Sequence, residues 1–93
     1  MPVLDQVAEK IIAEQARVIG PLAWSEAQKV AGLQVGADHR VALQNGDPRV
    51  VIDKLVAQYE RLFGRASHEV CKEAAAPLIR GLSASEIPLS LVA

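Results

Sequence analysis

Apolar residues recur every three or four positions through residues 4–19, with charged residues between them. This period is typical of an amphipathic helix. The pattern breaks at Gly20-Pro21, because the residue before a proline disfavours the helical conformation and Pro21 suits the first turn of a new helix. We therefore expect one helix that ends near Ile19 and a second helix from about Pro21 to Ala31.

A longer apolar stripe follows Asp47-Pro48, where the Asp carboxylate can cap a helix and Pro48 fits its first position. The stripe predicts a helix that reaches Ala76, unbroken or bent at Gly64, because a lone glycine does not force a break. Pro77 makes Ala76 the expected end of this helix. The apolar positions are Val51, Ile52, Leu55, Val56, Tyr59, Leu62, Phe63, Ala66, Val70 and Ala74.

Residues 32–47 form an irregular connecting loop, and residues 80–93 form a tail. The loop is rich in turn-forming residues, and alternation at Val41–Leu43 allows a small hairpin with Leu33–Val35. In the tail, Ser83 and Glu86 have the spacing of a helix capping box.

The two helical stretches resemble each other in sequence. Residues 10–35 align without a gap over residues 54–79, at an offset in the range of two-helix repeats. The alignment predicts a single domain, 1–93, with repeat-like units 3–35 and 47–79, although two amphipathic helices can also resemble each other by chance. Identical pairs include Lys10/Lys54, Ala13/Ala57, Arg17/Arg61, Gly20/Gly64 and Ala31/Ala75.

The composition favours a small, aliphatic core. Hydrophobic residues make up 51% of the 93 residues, but aromatic residues make up only 3%. A domain of this size buries a limited share of its surface. Because sharing a core with a second copy would add buried area, we expect a homodimer.

Charge and cysteine content argue against several classes of protein. The net charge of −1 is unlike the concentrated basic surface of a nucleic-acid binder. No apolar run approaches the ~20 residues that span a bilayer, and the N-terminus lacks a signal-peptide pattern. A single cysteine forms no intrachain disulfide, so we expect a cytoplasmic protein with no membrane association and no nucleic-acid partner.

His68 and Cys71 lie one helical turn apart and are the main candidates for chemistry. A structural zinc site needs four ligands, and the sequence has one other histidine, His39, and no second cysteine. A cysteine nucleophile needs an activating environment, and no glycine-rich oxyanion loop accompanies Cys71. We therefore expect no metal, no cofactor and no enzymatic activity, with Cys71 packed as a small hydrophobe.

Four residues are candidates for a protein interface. Trp24 is the single tryptophan and aligns with the polar His68 of the second unit, which indicates partial exposure. Exposed tryptophans are frequent binding hot spots. Leu22 lies on the same predicted helix as Trp24. Tyr59 and Phe63, one turn apart, complete the set of candidates, although their spacing is more simply that of core residues.

The segment from Val18 to Val30, VIGPLAWSEAQKV, resembles small helical modules at the C-terminal ends of bacterial serine/threonine kinases and other signalling regulators. Members of that family carry an apolar helix that ends in a Gly-Pro-small-Ala turn, here Gly20, Pro21 and Ala23. The second unit keeps Gly64 but has no proline after it. The family has no catalytic residues, so the resemblance implies a non-enzymatic interaction module.

These patterns predict an all-α fold, a small bundle of three or four helices arranged as two pseudo-repeated hairpins. The expected function is a cytoplasmic protein–protein interaction or oligomerisation module, such as a bacterial signalling adaptor. The alternative is a carrier of a small apolar ligand with a pocket between the helix pairs. An interaction module would expose an apolar patch, whereas a carrier would enclose a cavity of several hundred Å³.

Overall fold

The structure, a computed structural model, describes residues 2–44 and 46–92; Met1, Asn45 and Ala93, which the predicted domain and tail include, lie outside the described residues. The fold is mostly helical but not purely all-α as expected, because a short two-stranded sheet joins the helical units. In chain order the elements are α1 (Val3–Ile19), α2 (Leu22–Ala27), β1 (Leu33–Val35), β2 (Val41–Leu43), α3 (Pro48–Phe63), α4 (Arg65–Ile79) and two 3₁₀ turns (Ala84–Glu86 and Leu89–Leu91).

The small hairpin that the alternation allows is present. β1 and β2 pair antiparallel, with Leu33 opposite Leu43 and Val35 opposite Val41. Because Leu33 and Val41 are buried, the hairpin covers part of the helical core. α2 ends at Ala27 rather than at Ala31, since the chain turns towards this hairpin in residues 28–32.

The first helix of each unit, α1 and α3, ends at a glycine, and the two glycines have similar backbone conformations. Gly20 has φ 78° and ψ −163°, and Gly64 has φ 89° and ψ −177°. Each glycine N–H donates to the carbonyl four residues earlier, Ala16 at 2.9 Å and Glu60 at 2.8 Å. Glycine alone adopts this region at low cost. The expected continuous or bent helix at Gly64 was therefore wrong, because the break requires the glycine and not a proline.

The predicted start of the second long helix is confirmed, but its predicted end is not. Asp47 is the N-cap of α3, and its carboxylate accepts the Arg49 N–H at 2.9 Å. α4 runs through Pro77 to Ile79 rather than ending at Ala76. Pro77 lies in the last turn, where little of the helix follows it, so the bias of the preceding residue does not end the helix.

Several aligned positions of the two units also match in burial. α1 and α3 each present one apolar face to a shared core, on which α2, α4 and the hairpin pack. Residues 44 positions apart occupy equivalent places in that core. The buried pairs include Val7/Val51, Ala8/Ile52, Ile11/Leu55, Ile12/Val56 and Ala27/Cys71.

Two reciprocal hydrogen bonds join the units at the centre of the core. Tyr59 of α3 donates its hydroxyl to the Ala23 carbonyl of α2 at 2.7 Å. Gln15, the counterpart of Tyr59, donates its Nε2 to the carbonyl of Ser67, the counterpart of Ala23, at 2.8 Å. Such an exchange, in which i contacts j′ and i′ contacts j, is the signature of a twofold relation. These aligned positions of the two units therefore make reciprocal hydrogen bonds.

The same relation extends to the segments that follow each unit. The Glu9 carboxylate accepts the Val41 N–H of the hairpin at 3.1 Å. Its counterpart, Asp53, accepts the Ser90 N–H of the tail at 3.0 Å and the Ser90 hydroxyl at 2.5 Å. The hairpin and the tail thus occupy corresponding places, and each is held by an acidic residue of the first helix in its own unit.

Replacement of Tyr59 by Phe tests how much the reciprocal hydrogen bonds contribute to stability. Burial raises the pKa of the Tyr59 hydroxyl, with the nearby Cys71 and Glu26 adding to the shift, so the side chain stays a neutral donor. We expect Tyr59→Phe to lower the free energy of unfolding by about 0.5–1.5 kcal/mol, the range for one lost hydrogen bond. Urea unfolding of both proteins measures the difference in the free energy of unfolding. Unchanged stability would show that the hydrogen bond makes no net contribution.

Candidate interaction surfaces

The side chains with chemical potential are engaged in structural contacts. Cys71 is fully buried, and its Sγ lies 3.4 Å from Gln15 Nε2. Burial raises the pKa of the Cys71 thiol to about 11. His68 instead donates Nε2–H to the Ser90 carbonyl at 2.6 Å, and its Nδ1 lies 3.5 Å from Glu60 Oε1. The two side chains therefore have different partners, and the arrangement does not activate the thiol.

Within residues 2–44 and 46–92, no group of three or more His, Cys, Asp or Glu side chains comes together in a metal-binding arrangement. No helix in this part of the chain is long and apolar enough to cross a membrane.

Two of the four interface candidates lie on α2, at the surface. Leu22 is 46% exposed. Trp24 is half-buried and stacks on His39 of the hairpin loop, with ring centroids 4.0 Å apart and an interplanar angle of 10°. Because one face of the indole is covered by His39, Trp24 contributes to holding the hairpin against α2.

The other two candidates belong to the core. Tyr59 has no exposed surface, and its hydroxyl is used by Ala23, so it offers nothing to a partner. Phe63 is half-buried and packs against the core. Their i, i+4 spacing marks an apolar face and is more simply that of core residues. The structure places Tyr59 in the core and Phe63 against it.

An exposed apolar residue that the periodicity did not single out lies beside the first helix break. Val18 is 67% exposed, although it continues the apolar stripe of α1. Its counterpart, Leu62, is 41% exposed at the end of α3. Val18 and Leu22 flank Gly20, whereas Leu62 and Ala66 flank Gly64. The α1–α2 corner, defined here as residues 18–22, is therefore the more apolar of two equivalent corners.

A surface cleft lies between the first helices of the two units. This cleft of about 350 Å³ lies at the start of α1 and α3 and against the tail, and its lining includes Val3, Leu4 and Leu82. Its Arg49 is already paired with Asp47 at 2.6 Å and donates to the Ser85 carbonyl. The space between the units holds Gln15 and Tyr59, which are both fully buried.

Comparison of the chain with family models, with curated proteins and with solved structures finds no match.

The reactivity of Cys71 tests whether the thiol has a packing role. A raised pKa lowers the thiolate fraction at pH 8, and burial blocks access of the reagent. We expect a disulfide reagent such as Ellman's to react at least about 100-fold more slowly with the native protein than with the protein in denaturant. Because the sequence contains one cysteine, the absorbance reports this thiol alone. Equal rates in both states would contradict the assignment.

Proposed function

We propose that this chain is a non-enzymatic protein–protein interaction module that forms a homodimer through its α1–α2 corner. The observation that carries the proposal is the exposure of Val18 and Leu22 on either side of Gly20. Exposed apolar area that is covered on association is the main driving force of such contacts.

A twofold dimer suits this corner because an isologous interface brings the same patch of both copies together. Four aliphatic side chains, Val18 and Leu22 from each copy, would then lose contact with water. The pseudo-equivalent corner is a weaker candidate, because Ala66 replaces Leu22 there. The half-buried Trp24, two residues after Leu22, supplies further apolar area at the edge of the proposed patch.

We also propose that the module acts in bacterial signalling, as an adaptor in the cytoplasm. The support is the resemblance to helical modules of kinases and regulators, which rests on Gly20, Pro21 and Ala23. The structure forms a helix break at these residues, with the Ala23 N–H donating to the Gly20 carbonyl at 3.1 Å. The proposed dimer surface and the segment of resemblance are thus the same part of the chain.

Sedimentation at low micromolar concentration tests the homodimer. We expect the wild-type chain to sediment at twice the 10.0 kDa of one copy. Replacement of both Val18 and Leu22 by Ser should raise the dissociation constant at least about 10-fold, since each buried aliphatic side chain contributes about 1 kcal/mol or more.

Leu62→Ser is the matched control, because Leu62 is the exposed counterpart of Val18 at the other corner. It should leave the dissociation constant unchanged within about twofold. A wild-type chain that sediments only as a 10.0 kDa species would overturn the homodimer. Equal weakening by Leu62→Ser would overturn the assignment to the α1–α2 corner.

A further inference from the structure

Two surface grooves are lined in part by residues that align between the two units, but the grooves differ in charge. One groove, here called the basic groove, lies between the end of α2 and α3 and is lined by Lys29, Val30, Ala31, Lys54, Ala57, Gln58 and Arg61. The other, here called the counterpart groove, lies between α1 and α4 and is lined by Lys10, Glu14, Val70, Glu73, Ala74 and Pro77. Each groove has a volume of about 240–320 Å³.

In the counterpart groove the positive charges are neutralised within the chain. Glu14 lies between the two cations of α1, at 3.1 Å from Lys10 Nζ and 3.4 Å from Arg17 Nη1. Glu73 adds a second negative charge on α4. This groove therefore has no excess positive charge to offer a partner.

In the basic groove the neutralisation is only partial, because Lys29 pairs with Glu26 at 3.0 Å but neither acid of the counterpart groove is retained. Gln58 stands at the position of Glu14, and Lys29 stands at the position of Glu73. Among the described residues, Lys54 makes no ion pair. Arg61 donates to the neutral Gln58 Oε1 at 2.8 Å rather than to a carboxylate. Among the described residues, Lys54 and Arg61 therefore have no carboxylate within ion-pair distance, although Arg61 lies close enough to Glu26 to help lower the pKa of that carboxyl.

Glu26, beside this groove, fixes its geometry. Glu26 has a side chain only 11% exposed, lies 3.0 Å from Lys29 Nζ and accepts Gln58 Nε2–H at 2.8 Å. The hydrogen bonds from Lys29 and then from Gln58 lower the pKa of Glu26, so it stays ionised. Glu26 thereby holds the Gln58 amide with its oxygen towards Arg61.

We propose that the basic groove docks a short acidic segment of a partner protein. Lys54 and Arg61 lie two turns apart on α3, about 10 Å along the helix axis. Between them the floor is small and apolar, formed by Val30, Ala31 and Ala57. The complementary segment carries carboxylates about 10 Å apart with a small apolar residue between them.

An acidic peptide fits this groove better than a nucleic acid does. The positive patch covers two turns of one helix, whereas nucleic-acid binding needs basic residues along a longer track. The rest of the chain offsets the patch, because the net charge is −1. This inference rests on the proposed function in treating the chain as an interaction module, but it uses a surface separate from the α1–α2 corner.

Fluorescence anisotropy with a labelled decapeptide of alternating Glu and Ala tests the proposal, and the same peptide with Gln in place of Glu is the ligand control. We expect the full-length chain to bind the Glu peptide at low ionic strength and to lose most of that affinity in 0.3 M salt, as screening requires. Lys54→Gln and Arg61→Gln should each weaken binding at least about fivefold. Gln58→Glu, which places a carboxylate at the position aligned with Glu14, should also weaken binding at least about fivefold.

Lys10→Gln and Arg17→Gln are the matched controls, because they change the net charge equally but lie on α1. They should leave the affinity unchanged within about twofold. Equal weakening by both sets, no binding by the wild-type chain, or binding of the Gln peptide with the same affinity would each overturn the proposal. Tighter binding of a decameric single-stranded DNA that depends on Lys54 and Arg61 would overturn it in favour of nucleic acid.

Thermal melts of all variants show whether each is folded, since these exposed positions contribute little to stability. The same titration on the Val18→Ser, Leu22→Ser protein separates the two proposals. If the wild-type chain is monomeric and still binds the Glu peptide through Lys54, the homodimer fails and the acidic-segment site stands. If the dimer forms but no variant changes peptide affinity, the reverse holds.

Discussion

The structure depends on reciprocal hydrogen bonds between its two helical units. Each unit contributes one large polar side chain to the contact between the units: Gln15 from the first and Tyr59 from the second. Both side chains are fully buried. Their hydrogen bonds to Ser67 and Ala23 satisfy polar groups that would otherwise destabilise the core. Among the described residues, the buried Gln15 Oε1 atom has no hydrogen-bond partner, whereas the Tyr59 hydroxyl has one. Neither unit could keep this arrangement without the other.

At some aligned positions, the two units present different side chains to solvent. Leu22 and Ala66 are equivalent, and so are Glu14 and Gln58, but in each pair the two residues give different surfaces. The first difference makes the α1–α2 corner more apolar, and the second leaves Lys54 and Arg61 of α3 without an ion pair among the described residues. A scaffold with two similar halves can in this way carry two distinct contact surfaces, which is the basis of both proposals.

Helical periodicity and the Asp47-Pro48 start were sufficient to predict that the fold is mostly helical. Periodicity could not predict the break at Gly64, because it depends on a backbone conformation that leaves no mark in the apolar pattern. The spacing of Tyr59 and Phe63 favoured the core, but it could not predict the hydrogen bond from the Tyr59 hydroxyl to the Ala23 carbonyl. The charge difference between the grooves was available from the alignment of Glu14 with Gln58, but its meaning required knowing that these helices border a groove.

Native-state hydrogen exchange in increasing denaturant tests the mutual dependence of the units most directly. Ile12 and Val56 are equivalent buried positions on α1 and α3, so their amides report on one unit each. If the units fold only together, both amides exchange with the same free energy of opening, equal to that of global unfolding. If the amides of one unit open at a free energy lower by more than about 1 kcal/mol while the other stays protected, the units are independent and the account is wrong.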